Sequence, residues 1–132
     1  MIKAIGIAIT GLDAAAKKIA ASASNVANLQ TTGSLSDKKA APYTPLTTTQ
    51  TTGNTGEVTA GFTPKTNPFV PAYDPSSPYA DENGYIGVPN INLAEEAVNL
   101  TLAKHSYKAN LEVIKTSESM MDELLDAFDK EV

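Results

Sequence analysis

Cysteine, arginine and tryptophan are absent from this 132-residue chain, and histidine occurs once. The missing cysteines exclude disulfides, zinc–thiolate sites and thiol nucleophiles. With no arginine, lysine alone supplies the ten basic residues against fifteen acids, a net charge of −5. Nucleic-acid binding wants a basic face and bidentate guanidinium groups, so this composition argues against it. Aromatic residues make up 6% of the chain, too few for an interface anchored on large aromatics. No apolar run approaches the roughly 20 residues that cross a bilayer, so no direct membrane span is expected. Glycine-rich phosphate loops, nucleophile elbows and metal-ligand histidine spacings are also missing, so neither an enzyme nor a cofactor is expected.

What the chain does have is sharply partitioned. All eight prolines lie between Pro42 and Pro89. The stretches on either side are proline-free and helical in composition. The division is therefore 1–33 as an N-terminal coiled-coil helix, 34–91 as an extended or β-rich middle, and 92–132 as a C-terminal coiled-coil helix that forms one structural domain with 1–33.

In the first segment Ile5, Ile9, Leu12, Ala16, Ile19, Ala23 and Val26 alternate at spacings of four and three. That is the seam of a coiled coil. Alanines flank it (Ala8, Ala15, Ala20), so partners could approach closely on more than one face. The stretch Met1 to Leu12, with Ala21-Ser22-Ala23 behind it, has some features of a secretory signal. Asp13, Lys17 and Lys18 interrupt the apolar run, and the helical seam is the better reading. Thr31-Thr32-Gly33 is expected to stop the helix, with Gly33 in the left-handed conformation.

In the last segment Leu93, Leu100, Tyr107, Ile114, Met121 and Phe128 recur every seven residues, alternating with Ala97, Lys104, Leu111, Glu118, Leu125 and Val132. A strict heptad predicts a left-handed supercoil. Asn92 followed by Glu95 predicts a capping box. Residues 1–30 hold three lysines and one aspartate, whereas residues 92–132 hold nine acids and four lysines, so opposite charge favours pairing the two helices. The expected fold is mainly α: two long terminal helices pairing as an antiparallel coiled coil, with an extended Pro/Thr-rich middle that contains a short β-hairpin.

That hairpin is predicted from Leu46–Thr52 and Glu57–Thr63 around a turn at Gly53-Asn54-Thr55-Gly56. Pro64 to Pro78 carries too much proline for a central strand and is expected to run extended. His105, beside the seam residue Tyr107, reads as a solvated surface histidine. Asp81-Glu82-Asn83-Gly84 faintly resembles a calcium loop, but Tyr79 and Asn90 stand where two acidic ligands belong. A turn with its left-handed corner at Asn83-Gly84 is expected instead. Asn25 and Asn28, two poor helix formers in an alanine-rich helix, are expected to bond across a helix interface in an assembly.

Ser24-Asn25-Val26-Ala27-Asn28, leading into Thr31-Thr32-Gly33, resembles the N-terminal signature of the flagellar rod, hook and hook-associated axial proteins. The middle run from Tyr73 to Asn92 is similar to the proximal-rod members of that family, on Tyr73, Asp74, Pro75, Pro78, Asp81, Gly84, Tyr85, Pro89 and Asn90. Glu95-Glu96, Tyr107-Lys108-Ala109-Asn110 and Met120 resemble the family's C-terminal helix. The resemblance departs from the family at Ser77, where a histidine is usual, and at His105, where an arginine is.

The resemblance implies a structural subunit of the basal-body proximal rod, assembling by helix packing into a drive shaft that transmits torque. It implies the flagellum basal body, in the periplasmic rod, as the location, and export without a cleaved signal peptide. The implied partners are copies of the chain, other rod proteins, the flagellar export apparatus and basal ring components. The residues expected to carry assembly are Ile5, Ile9, Leu12, Ile19, Asn25, Val26 and Asn28, with Leu93, Leu100, Tyr107, Asn110, Leu111, Ile114, Met121 and Leu125. The competing reading is a soluble two-helix adaptor or export chaperone that binds a partner helix. The Pro/Thr-rich middle counts against it.

Overall fold

A computed structural model describes residues 1–129. Helix α1 (Ile2–Ala27) is followed by a short 3-10 turn at Lys38–Ala40, strands β1 (Leu46–Thr52), β2 (Val58–Pro64), β3 (Phe69–Tyr73) and β4 (Tyr85–Pro89), and helix α2 (Leu93–Asp129). The helices stand where composition put them. The middle does not: it folds into two antiparallel two-stranded sheets, β1–β2 and β3–β4, rather than one hairpin in an otherwise extended stretch. The mainly α coiled-coil description is therefore corrected to two helices carrying two small sheets, and the helices do not meet along the expected seam.

The first sheet forms as its turn chemistry dictates. Its register runs from Leu46 opposite Pro64 to Thr52 opposite Val58. Gly53 N–H closes the hairpin onto Glu57 C=O at 2.9 Å, and Gly56 takes a φ of 92° that an L side chain resists. The Thr55 hydroxyl donates to the Glu57 carboxylate and holds that carboxyl below its ordinary range.

The second sheet contains Pro71, the residue that argued against a strand. Pro71 stands opposite Gly87. Gly87 spends its own backbone groups on the far side, donating to Gly33 C=O (2.8 Å) and accepting from Gly33 N–H (3.0 Å). Antiparallel rungs alternate, so the Pro71–Gly87 pair is a non-bonded one. Proline loses no ladder bond there, and on an edge strand it is tolerated.

Gly33 accordingly does something other than terminate α1 in a left-handed turn. The helix ends at Ala27, with Asn28 as its C-cap residue; the Asn28 amide donates to Ser24 C=O at 2.9 Å. Gly33 bridges to β4 in close quarters: a Cβ there would lie 2.3 Å from Ala40 O and 2.4 Å from Pro42 N. Both are backbone atoms that cannot swing away. Gly33→Ala is expected to destabilise the subunit by about 1–3 kcal/mol through overpacking, read as a lower urea midpoint at unchanged m. An unchanged midpoint would show that the 33–42 loop gives way freely.

At the start of α2, Asn92 Oδ1 accepts from Ala94 N–H (2.9 Å) and Glu95 N–H (3.4 Å), so Asn92 caps the helix. The reciprocal half of the capping box is missing, because the Glu95 carboxylate pairs instead with Lys65 Nζ at 3.0 Å. The helices run antiparallel: Asn25 meets Glu96 at one end, and Gly11 faces the Asn110 side chain further along. The same register puts Ile2 level with Ser119, so the last turns of α2 run on past α1.

Almost all of the core is small. Among the described residues its buried members include Ala8, Ala14, Ala15, Ala21, Ala60 and Ala103, with Ile86, Pro42, Pro45 and Pro89 the larger ones. Alanines bring backbones close but bury little area each, so polar bonds between elements carry much of the specificity.

Candidate assembly surface

Helix α1 presents three faces, each with heptad-like spacing. Ala8, Ala15, Ser22 and Asn25 are buried toward α2, with Gly11 beside Asn110 between them. A second face meets the β1–β2 hairpin: Thr10 Oγ1 accepts from Val58 N–H (3.0 Å), and Lys17 Nζ donates to Ala60 C=O (3.0 Å). Gly56 sits against Ile7 on this same side. The third face is the stripe read as the seam. Ile9 (54%) and Val26 (41%) are exposed, Ala16 and Ala23 are exposed, and Ile5, Leu12 and Ile19 are only half-buried. The largest apolar side chains of α1 therefore lie on a face that the subunit covers only in part.

The α2 seam is half as expected. Leu100, Ile114 and Met121 are half-buried, but the alternating positions turned inward are Glu96, Ala103, Asn110 and Ser117. Ala97, Lys104, Leu111, Glu118 and Leu125, each one residue further along, all point out. Val132, the last of that alternation, lies outside the described residues. Leu93, Tyr107, Leu111 and Leu125 remain 36–59% exposed, and past the end of α1 Met120, Leu124 and Phe128 are 43–63% exposed.

Asn25 lies at the centre of the subunit, 1% exposed. Its Nδ2 donates to Leu46 C=O (2.8 Å) and to Glu96 Oε1 (2.8 Å). Its Oδ1 accepts from Leu46 N–H (2.8 Å) and from the Tyr43 hydroxyl (3.2 Å). One amide thus uses its full bonding capacity to tie α1 to the start of β1 and to α2. Asn28 stays local, bonded to Ser24 C=O and accepting from the Thr31 hydroxyl at 3.2 Å. Of the partners of Asn25, Glu96 stood out only within the family-like Glu95-Glu96 pair, Leu46 only as the start of a strand and Tyr43 not at all; their convergence depends on folding.

The stretch between β3 and β4 is a rigid clip. Asp74 N–H donates to Gly84 C=O, and Asp74 Oδ1 accepts from Ser76 N–H and Oγ. Asp81 Oδ1 accepts from Asn83 and Tyr85 N–H at 2.9 and 2.8 Å. Gly84 takes the left-handed corner at φ 80°, under Tyr73 and Pro75. Tyr73 and Tyr85 pack edge to face at 5.6 Å. Asn90 closes the far end on Pro68 C=O through its backbone and on Asn67 C=O through its amide. Pro75 and Pro78 flank the turn, Pro89 ends β4 buried, and the aspartates are consumed in turn bonds. Among the described residues no group of acids and histidines could hold a metal ion. His105 is exposed on α2.

A helix pair drawn from sequence-distant segments, with a partly uncovered apolar stripe and a clip of this kind between them, is the build of a subunit that packs against neighbours. Residues 82–127 match the family model described as flagellar basal body rod FlgEFG protein, C-terminal. The flagellar basal-body rod protein FlgC of Salmonella typhimurium is 33% identical over 92% of both chains. That of Yersinia enterocolitica is 32% identical over the same shares. That of Buchnera aphidicola from Schizaphis graminum is 46% identical over 42% of this chain and 40% of its own. The chain belongs to the family of the flagellar basal-body rod protein FlgC.

Proposed function

We propose that this chain is a subunit of the proximal rod of the flagellum, packed side by side with other rod subunits through the partly uncovered stripe of α1 and the outward apolar residues of α2. The observation that carries the reading is the sorting of α1: Ala8, Ala14, Ala15 and Ala21 are buried within the subunit, while Ile9 and Val26 are exposed and Ile5, Leu12 and Ile19 stay half-exposed beside them. Leu93, Tyr107, Leu111 and Leu125 extend that surface on α2, and Leu100, Ile114 and Met121 back it from within. Asn25 ties the helix pair in the shape that presents the stripe, Asn110 packs against Gly11 across the pair, and Asn28 finishes α1 by bonding to Ser24.

An open helical array needs different faces on each subunit, and a helix with three distinct faces supplies them. Residues 1–33 and 92–132 act as one packing unit, and residues 34–91 decorate it. Packed helices of this kind transmit torque as a stiff shaft in the periplasmic rod. The chain reaches that place through the flagellar export apparatus without a cleaved signal peptide, and its neighbours are copies of itself, other rod proteins and basal ring components. The test is deletion of the chain followed by electron microscopy of purified basal bodies. Rings without a rod, and non-motile cells, are expected. Motile cells with intact rods would refute the reading and favour an adaptor.

A further inference from the structure

Each small sheet has two outer edges, and an unpaired edge is a template for another strand. Three of the four edges here are closed by identifiable devices. On β4, Gly33 takes both backbone groups of Gly87, and Asp81 takes those of Tyr85, accepting from its N–H through Oδ1 and donating its own N–H to its C=O. On β3, Pro71 stands at an outward position with no N–H to offer. On β2, Thr10 takes Val58 N–H and Lys17 takes Ala60 C=O, and Ala60 is buried against α1.

The fourth edge is different. Lys65 N–H donates to Pro45 C=O and Gly53 N–H to Glu57 C=O, so the rungs of the hairpin ladder fall on odd-numbered residues of the first strand. Leu46, Thr48, Gln50 and Thr52 therefore turn their backbone groups away from β2. Asn25 satisfies Leu46 on both its N–H and its C=O, as a residue of a third strand would. Among the described residues, Thr48, Gln50 and Thr52 have no such partner. Their stretch is about 17 Å long. It also lacks the usual protection, since none of the fourteen residues of β1 and β2 is charged. Two hollows lie between the hairpin and the helices. One, about 590 Å³, is lined by Leu46–Thr49 and Thr63–Thr66 of the hairpin together with Glu95 and Asn99 of α2. The other, about 270 Å³, is lined by Gln50 and Val58 on the hairpin side and by Leu102 and Ser106 on α2.

We infer that this edge accepts an extended, uncharged strand from a different axial protein in the assembled rod, pairing with Thr48–Thr52 beside these hollows. The inference rests on the rod reading given above. The row of alternating N–H and C=O groups selects polypeptide in the extended form, and Leu102, 52% exposed on the α2 wall of the smaller hollow, gives one apolar contact for its side chains. A second copy of this chain is the wrong donor. Its other edges are taken up or interrupted by proline, so the one long free edge it could offer is its own β1. Two identical edges meet about a two-fold axis, which closes the pair and cannot propagate along an open helix.

The test compares amide hydrogen exchange of the purified subunit with that of purified basal bodies. Thr48, Gln50 and Thr52 amides are expected to exchange at least 100-fold more slowly in the rod than in the free subunit, whose hairpin rungs serve as the internal reference. A photoactivatable amino acid in place of Gln50 is expected to cross-link, in cells, to an extended segment of another rod protein. Gln50→Pro removes an outward N–H and fixes φ at a position where an edge strand tolerates proline, so it should leave the subunit folded by circular dichroism while cutting basal-body yield at least tenfold. Unchanged exchange in rods that contain the chain, or a cross-link between two copies of it, overturns the inference and leaves the rod reading standing. Basal bodies that lack the chain altogether overturn both.

Discussion

Asn25→Leu is expected to unfold most of the subunit's stability margin, on the order of 4–6 kcal/mol out of the roughly 5–15 kcal/mol that a small domain holds. Leucine matches the volume of the site but makes no hydrogen bond. It would leave Leu46 N–H and C=O, the Tyr43 hydroxyl and the Glu96 carboxylate facing an apolar side chain. An orphaned buried polar group costs about 1–3 kcal/mol, and a carboxylate costs more. Glu96 is 4% exposed, so water cannot simply replace the lost amide. Asn25→Asp should fare no better. It keeps the acceptor for Leu46 N–H but sets a second carboxylate against Glu96 and against Leu46 C=O. Asn28→Leu is the internal control: Asn28 is only half-buried and caps a single carbonyl, so about 1 kcal/mol is expected. Urea unfolding followed by circular dichroism separates these values. Equal midpoints for the two leucine variants would show that Asn25 does not hold the subunit together.

The contrast between the two asparagines shows what the chain discloses before it folds. Their unusual presence in an alanine-rich helix is visible as composition. Which of them is the hub is not, because the partners of Asn25 lie up to 71 residues away. The β1–β2 hairpin was legible to within a residue, since a threonine-rich run, a Gly-Asn-Thr-Gly turn and a second run are all local signals. The β3–β4 sheet was not, because the mark against it, Pro71, is harmless only when Gly87 bonds to Gly33, a contact between distant segments. The start of α2 was legible from its Asn92 cap, whereas α1 ends at Ala27, before the expected stop at Thr31-Thr32-Gly33. Gly33 misled because a glycine after a helix has two uses, a left-handed turn or a close backbone approach, and only the Ala40–Pro42 loop decides between them.

The heptads were the most instructive case. A 3.5-residue period is a real physical signal, but α1 satisfies it three times over, on faces shifted by one residue. The large side chains draw the eye to Ile5–Val26. Close packing within the subunit selects the alanine faces, where the backbones of α2 and the hairpin can come near. On α2 the ambiguity is the same: Leu100, Ile114 and Met121 belong to either seam, and the choice between Ala103 and Lys104 as the alternate position depends on the partner.

Rod assembly is expected to fail in Ile9→Asp while the isolated subunit keeps its stability to within about 0.5 kcal/mol, the usual range for an exposed substitution. Ile9 is 54% exposed, so an aspartate there stays hydrated in the free subunit. Once a neighbouring helix covers the stripe, the same carboxylate is buried without a partner, at a cost of several kcal/mol per interface. That penalty recurs at every copy, and a rod built of repeated weak contacts has no margin for it. Ile19→Asp, mid-stripe and half-buried, should also block assembly but should cost the subunit somewhat more stability. Ala15→Asp supplies the opposite pattern: Ala15 is 3% exposed against α2, so the charge would be trapped inside the subunit and unfold it. The measurements are urea midpoints of the purified variants and, at matched expression, swimming and basal-body yield. Normal swimming in Ile9→Asp would mean that the stripe faces solvent in the rod, and that assembly runs through the outward residues of α2 instead.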